Sequence, residues 1–193
     1  MTELWLVRHG ETGWNRLHRF MGQQDIPLNA EGLRQAAELA DALRGQHFDA
    51  IFSSDLSRAR QTAEVLAGAM RLPRCLDVRL REVHLGEWQG LTHADIQARF
   101  PAQWAERYAD PLNFRPPGGE TVAEMAARAF PAVDEIAAAC PDSRVLLVSH
   151  GILLAALLCR ARKLPLKEIY AQELDNAKPE IIFWPPASPD IPS

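Results

Sequence analysis

Apolar residues recur along the chain with two alternating periods. Glu3 to Val7, Ala50 to Ser53 and Arg144 to Ser149 are short runs of the strand kind, and the last is a continuous apolar stretch suited to a buried sheet. Between them the spacing is helical. Leu33, Ala36, Ala37, Ala40 and Leu43 form one stripe; Ala59, Ala63, Leu66, Ala67 and Met70 form a second; Val122, Met125, Ala126, Ala129, Val133 and Ile136 form a third. Each stripe predicts a helix that buries one side on a sheet. Pro131 falls inside the third and predicts a bend or a split there, because proline removes a backbone donor and crowds the preceding turn. The later runs Ile169 to Leu174 and Glu180 to Trp184 predict two more strands. Strand alternating with helix implies an α/β fold, a three-layer α/β/α sandwich with a mostly parallel central sheet. The one low-complexity stretch, 185–193, is rich in proline and cannot continue a helix or strand. The expected organisation is one domain over 1–184 and a flexible tail over 185–193.

Composition narrows the setting. With 193 residues, 47% hydrophobic and 24% charged, the chain is long enough to bury a full core. Cys75, Cys140 and Cys159 are odd in number and widely spaced, and fit neither a disulfide framework nor a zinc cluster. A reducing, cytoplasmic location is expected. Met1-Thr2-Glu3 runs straight into an apolar strand with no signal-peptide pattern, and the apolar run Ile152 to Cys159 is far too short to span a bilayer. A membrane is therefore not an expected partner. Neither is nucleic acid, since a net charge of −4 gives no clustered basic surface. Any anion site must be local.

In open α/β sheets, ligands sit beyond the carboxyl ends of the strands. His9 ends the first strand and His150 ends the run Val145 to Ser149, each followed by a glycine, Gly10 and Gly151, expected to let the backbone turn sharply and approach a ligand. If those strands are neighbours, the imidazoles converge. Ala50 to Ser53 leads through Ser54-Asp55-Leu56-Ser57 into a helix with Arg58 in its first turn. A cation is electrostatically out of place there unless it and the helix dipole together hold an anion. With Arg8 beside His9, two guanidinium forks would bracket one phosphoryl group. Taken singly, such a histidine is in general only a polar cap and Arg58 only a surface cation; the combination carries the argument.

The ordered series resembles the histidine phosphatase superfamily, which includes cofactor-dependent phosphoglycerate mutases and small phosphatases of the α-ribazole phosphatase and broad-specificity types. Its marks are Leu6-Val7-Arg8-His9-Gly10-Glu11-Thr12 with Trp14-Asn15, Gly22 to Leu28, Ser53 to Thr62, Glu82 with Gly86, Trp88 and Gly90, Pro116-Pro117-Gly118-Gly119-Glu120, and Ser149-His150-Gly151. The resemblance implies a phosphoglycerate mutase-like fold with His9 as nucleophile. It implies that Arg8, Arg58 and His150 bind the transferring phosphoryl group, and that Glu82 donates and accepts the proton. Asn15, Gly22, Gln23 and Gly151 would lie in or beside the pocket. A neutral imidazole nitrogen can attack phosphorus and split transfer into two easier steps. The arginines and histidines bring the charge a cation would supply, the scattered acids lack metal-ligand spacing, and no metal or cofactor is expected.

Three functions compete. Mutases of this family usually carry tyrosine where Leu85 stands, lysine where His93 stands, paired arginines within the stretch Gln103 to Tyr108, and a longer segment between the acid and the Pro-Pro motif. The chain departs from all four, so hydrolysis of a small phosphorylated metabolite is expected. A phosphoglycerate mutase is the alternative, and a catalytically silent phospholigand-binding protein the third. A helical insert over about 92–110 is expected to form the lid, with Arg99, Arg107 and Tyr108 as candidate contacts to the organic moiety. The protein is expected to be a monomer or a homodimer.

Overall fold

Strand β4 (Arg144–Ser149) is buried from Val145 onward, so both its faces must be covered, and it lies at the middle of the sheet. The computed structural model describes residues 1–172 and 174–185; the tail expected over 185–193 lies outside the described residues beyond Pro185. The sheet order is β3 (Arg74–Leu76), β2 (Ala50–Ser53), β4, β1 (Thr2–Arg8), β5 (Pro179–Trp184). The first four strands run parallel and β5 is antiparallel to β1.

Alternate residues of the central strands feed two cores. Leu4, Leu6, Val145 and Leu147 face α6 (Val122–Ala139) and α7 (Gly151–Ala161). Trp5, Val7, Leu146 and Val148 face α2 (Ala30–Ala42) and α3 (Ser57–Met70). Helix, sheet and helix make three layers. Each fully buried aliphatic side chain contributes about 1.5–3 kcal/mol, so the sheet edge that carries the histidines rests on a rigid base. Helix starts are set by side chains: Asn29 accepts from the Gly32 amide at 2.8 Å, and Thr121 with Glu124 closes a capping box on α6.

The structure differs from the sequence pattern in four places. In α2 the buried face is Gly32, Ala36, Leu39, Ala40 and Leu43, whereas Leu33 and Ala37 are exposed. The helix is rotated because Gly32 packs against the loop after β1, where a Cβ would stand 2.1 Å from the Glu11 carbonyl oxygen. Helix α6 is unbroken over its 18 residues despite Pro131. Pro131 and Ala127 are exposed, so water can serve the carbonyl that the missing N–H leaves one turn earlier. The described residues of the run Ile169 to Leu174 form no strand; Leu166–Ala171 is 3-10 helix started by Pro165, burying Ile169, and Leu174 is buried beyond it. Finally, the insert over 92–110 is two helices, α4 (His93–Arg99) and α5 (Pro101–Ala109), because Phe100 must leave the helical region ahead of Pro101. A short helix, α1 (Gly13–Arg16), completes the set.

Candidate active site

The strand register brings the two histidines together. Arg8 lies opposite Ser149, the His9 amide donates to the Ser149 carbonyl at 3.0 Å, and the rings of His9 and His150 stand 5.3 Å apart. The His9 carbonyl accepts from Asn176 Nδ2 at 2.6 Å, and the Gly10 amide donates to Thr62 Oγ1 at 3.0 Å. A Cβ at Gly10 would stand 2.5 Å from the Gly32 carbonyl oxygen, so this glycine is dictated by packing on α2 and not by approach to a ligand. Within His9, Nδ1 lies 2.8 Å from the Gly10 carbonyl. A carbonyl only accepts, so Nδ1 carries the proton and Nε2 keeps its lone pair. Burial, then the Arg58 and Arg8 cations, hold the His9 pKa well below that of a free imidazole. His9 is thus a buried, neutral imidazole with a defined tautomer.

Arg58 is fully buried. Its Nη1 and Nη2 donate to the carbonyls of Gln24 and Gly22, both at 2.7 Å, and Nε donates to His150 Nδ1 at 3.2 Å. Since Nδ1 of His150 accepts, its Nε2 carries the proton and donates to Ser54 Oγ at 2.9 Å. Both nitrogens of His150 are engaged inside the protein, and the ring acts here as a brace for Arg58. Burial pulls the Arg58 pKa down to about 10, against the opposing pull of Glu82, and the group stays cationic at neutral pH. The N-terminus of α3 is itself met by Asp25, which accepts from the Ser57 amide at 2.6 Å and the Ser57 hydroxyl at 2.9 Å. Arg58, and not the helix end, is what the pocket receives. Arg8 enters from the other side, its Nη1 donating to the Leu174 carbonyl at 2.8 Å.

Glu82 sits over the start of α7. Its Oε1 accepts from the amides of Val83 at 3.0 Å and Leu153 at 3.2 Å, and Oε2 accepts from Ile152 at 3.1 Å. A Cβ added at Gly151 would meet Arg8 Cζ at 3.7 Å and Glu82 Oε2 at 3.9 Å. These are ordinary contacts, so the expected sharp turn is not why glycine stands there; a side chain would fill the gap between the cation and the carboxylate. The loop bearing Glu82 is clamped from below by a residue the sequence reading passed over. Arg128 on α6 donates to the carbonyls of Arg79, Arg81 and Glu82 at 2.7, 2.7 and 2.9 Å, and to Glu120 Oε1 at 2.5 Å. Gln23 joins this clamp, its Nε2 donating to the Glu82 carbonyl at 3.0 Å, and so supports the loop and does not line the pocket. Arg128 had a signal: it lies three residues after Met125 and four before Ala132, on a face otherwise apolar, where a cation needs partners.

Arg8, His9, Asn15, Gly22, Arg58, Glu82 and Gly151 all line one cavity of about 260 Å³. Asn15 Oδ1 accepts from the Thr12 amide and hydroxyl, both at 3.0 Å, leaving the Nδ2 donor for the cavity. Gly22 requires its type, with φ at +51° and a Cβ that would stand 2.4 Å from Gln89 Oε1. The outer wall comes from the loop after α1 and from the two lid helices: Arg19, Phe20, His93 and Arg107, with Tyr170 opposite. Of the lid candidates, Arg107 lines the cavity and Arg99 and Tyr108 do not. Phe20, Trp88, Phe100, Trp104 and Phe114 pack the lid onto the body through aromatic contacts of 5.1–6.5 Å between ring centroids. Among the described residues no group of three or more His, Cys, Asp or Glu side chains is arranged to hold a metal ion, and no helix is long and apolar enough to cross a membrane.

Residues 4–191 match the model of the histidine phosphatase superfamily, branch 1. The glucosyl-3-phosphoglycerate phosphatase of Mycobacterium tuberculosis is 43% identical over 169 residues, covering 83% of this chain and 75% of that protein. The Proteus mirabilis protein named "Probable phosphoglycerate mutase GpmB" is 41% identical over 166 residues, covering 86% of this chain and 77% of that one. The solved structure of Bacillus stearothermophilus YhfR superposes with a TM-score of 0.87 at 35% identity, covering 94% of this chain and 90% of that chain. The chain belongs to the histidine phosphatase superfamily, as an enzyme of the phosphoglycerate mutase family with small phosphatases among its relatives.

Proposed function

We propose that the protein hydrolyses small phosphomonoesters in two steps through a phosphohistidine at His9, without a metal, in the cytoplasm. The observation that carries this is the His9 tautomer: Nδ1 is held by the Gly10 carbonyl, which leaves Nε2 as a nucleophile in a pocket floored by two arginines. Nε2 attacks phosphorus as the P–O bond to the leaving group breaks, and Glu82 delivers its proton to the departing oxygen. Water then attacks phosphorus as the bond to His9 Nε2 breaks, Glu82 takes a proton from that water, and inorganic phosphate leaves with His9 regenerated. Arg8 and Arg58 hold the phosphoryl oxygens throughout; one such donor is worth about 2.7–4 kcal/mol in comparable sites. His150 acts through Arg58, and Asn15 offers a further donor. Helices α4 and α5 cover the pocket and confine the leaving group. The cytoplasmic assignment is supported by three cysteines that are free among the described residues.

The test is phosphate release from para-nitrophenyl phosphate, 3-phosphoglycerate and α-ribazole phosphate in the presence of a chelator, with a His9→Ala control. Chelator-resistant release that falls by at least about 10⁴-fold in the control is expected. Retained turnover in His9→Ala refutes the nucleophile. Interconversion of 3- and 2-phosphoglycerate dependent on 2,3-bisphosphoglycerate, with no phosphate release, would assign a mutase instead.

A further inference from the structure

The His9 ring owes its free Nε2 to one carbonyl, that of Gly10, which accepts from Nδ1 at 2.8 Å. A neutral imidazole has two tautomers, and only the one protonated at Nδ1 presents a lone pair at Nε2. Whatever aims that carbonyl therefore prepares the nucleophile.

The backbone after β1 is held one peptide plane at a time. In the plane joining His9 to Gly10, the carbonyl accepts from Asn176 Nδ2 at 2.6 Å and the amide donates to Thr62 Oγ1 at 3.0 Å. Thr62 is itself fixed, its hydroxyl donating to the Arg58 carbonyl at 2.8 Å. In the plane joining Glu11 to Thr12, the carbonyl accepts from the Asn29 amide and the Thr12 amide donates to Asn15 Oδ1, both at 3.0 Å. Between them lies the plane joining Gly10 to Glu11. Its carbonyl meets His9 Nδ1, and its amide donates to Gln35 Oε1 on α2 at 2.9 Å.

This middle plane has the most freedom to lose. A crankshaft turn, ψ of Gly10 against φ of Glu11, swings its carbonyl off Nδ1 and leaves both neighbouring planes where they are. Gly10 offers little resistance, since packing against Gly32 forbids it the side chain that would narrow its dihedral range. Gln35 supplies the restraint from the opposite edge. The peptide unit is planar and trans, so an amide held on one side fixes the carbonyl on the other. Gln35 can reach because the loop lies against the start of α2, where a Cβ at Gly32 would stand 2.8 Å from the Glu11 nitrogen. Its own Nε2 is turned to Glu31 Oε1 at 3.3 Å, which presents Oε1 to the amide. Gln35 does not line the cavity and so acts only through the backbone.

We infer that Gln35 is a positioning residue: through the Glu11 amide it aims the Gly10 carbonyl at Nδ1 and holds His9 in the tautomer whose Nε2 is free. The tautomer belongs to the resting protein, and only its effect on rate rests on the proposed hydrolysis.

The experiment is nitrogen NMR at neutral pH on protein labelled at its six histidines, with the His9 signals identified by their loss in His9→Gln. Wild type should show His9 protonated at Nδ1 and bare at Nε2. Gln35→Met keeps the length of the side chain and removes the acceptor, and it should show both tautomers. Its kcat/KM for para-nitrophenyl phosphate, which reports the attack by His9, should fall about three- to tenfold, the worth of one hydrogen bond. The dissociation constant of inorganic phosphate should stay within about twofold, because Arg8 and Arg58 are untouched. Gln35→Glu combined with Glu31→Gln restores an acceptor for the amide and a donor for the pair, and should return the single tautomer and most of the rate. Leu39→Val loosens α2 from its core face without touching the Glu11 amide, and should keep the wild-type tautomer. A single Nδ1-protonated form in Gln35→Met, or a fall in kcat/KM no larger than that of Leu39→Val, overturns the inference. Turnover that survives His9→Ala overturns the phosphohistidine reading and leaves the tautomer shift in Gln35→Met standing, so the two failures are distinct.

Discussion

Arg128→Met removes the clamp under Glu82; Arg128 itself does not line the cavity, although its partner Glu120 does. The side chain makes five hydrogen bonds, three to carbonyls of the loop 79–82 and two to Glu120, and it and Glu120 are only 23% and 19% exposed. Removing one partner of a buried, hydrogen-bonded pair costs about 3–5 kcal/mol; partial water access here places the loss near the lower end, about 3 kcal/mol. For a chain of this size that lowers Tm by about 6–12 °C. The loop then relaxes. A displacement of the Glu82 carboxylate by about 1 Å is worth roughly a hundredfold in rate, so kcat should fall about ten- to a hundredfold with the pH profile altered. Urea unfolding of Arg128→Met, Glu120→Gln and the double variant should show a double loss well short of the sum, with a coupling above about 1 kcal/mol. Wild-type kcat in a destabilised Arg128→Met would refute the idea that this residue positions Glu82, since the loop would then be held by other contacts.

His9 and His150 are buried and neutral, both with pKa values well below 6.5, burial being the main cause. The unfolded chain therefore binds the extra protons first, and stability is full above about pH 6.5 and falls below it by up to about 1.4 kcal/mol per histidine per pH unit; urea midpoints that stay level from pH 7 to 5 would contradict this. Gly10→Ala drives a Cβ into the Gly32 carbonyl, separated by 2.5 Å, and should destabilise by about 1–3 kcal/mol while lowering kcat, as read by thermal melts and phosphate release.

Much of the site was legible because it is built at strand ends. Arg8, His9 and His150 follow apolar runs whose period marks them as strands, and parallel pairing does the rest. Arg58 was legible through its awkward charge at a helix start. Other features depend on tertiary packing that no local pattern encodes. The rotation of α2 follows from the contact between Gly10 and Gly32, so Leu33 is exposed although it fits the helical stripe. Ile169 and Leu174 look like strand residues but are spaced to fill one core from a 3-10 turn, with Tyr170 turned to the cavity between them. The engagement of both His150 nitrogens depends on Ser54 and Arg58, which lie 96 and 92 residues away in the chain.

Strand β1 carries the nucleophile, yet its neighbours are β4 and β5, and the His9 carbonyl is tied to Asn176. Among the described residues, every backbone partner of the first strand therefore comes from the stretch 143–184, far along the chain from it. During translation the segment bearing His9 leaves the ribosome with nothing to pair against, and it must wait, kept from aggregation, until β4 and then β5 emerge. A nascent chain stopped anywhere before residue 144 holds Arg8, His9, Arg58 and Glu82 and still has no floor on which to assemble them. The pocket, whose lining runs from Arg8 to Tyr170, therefore cannot assemble on a chain that stops short of β4.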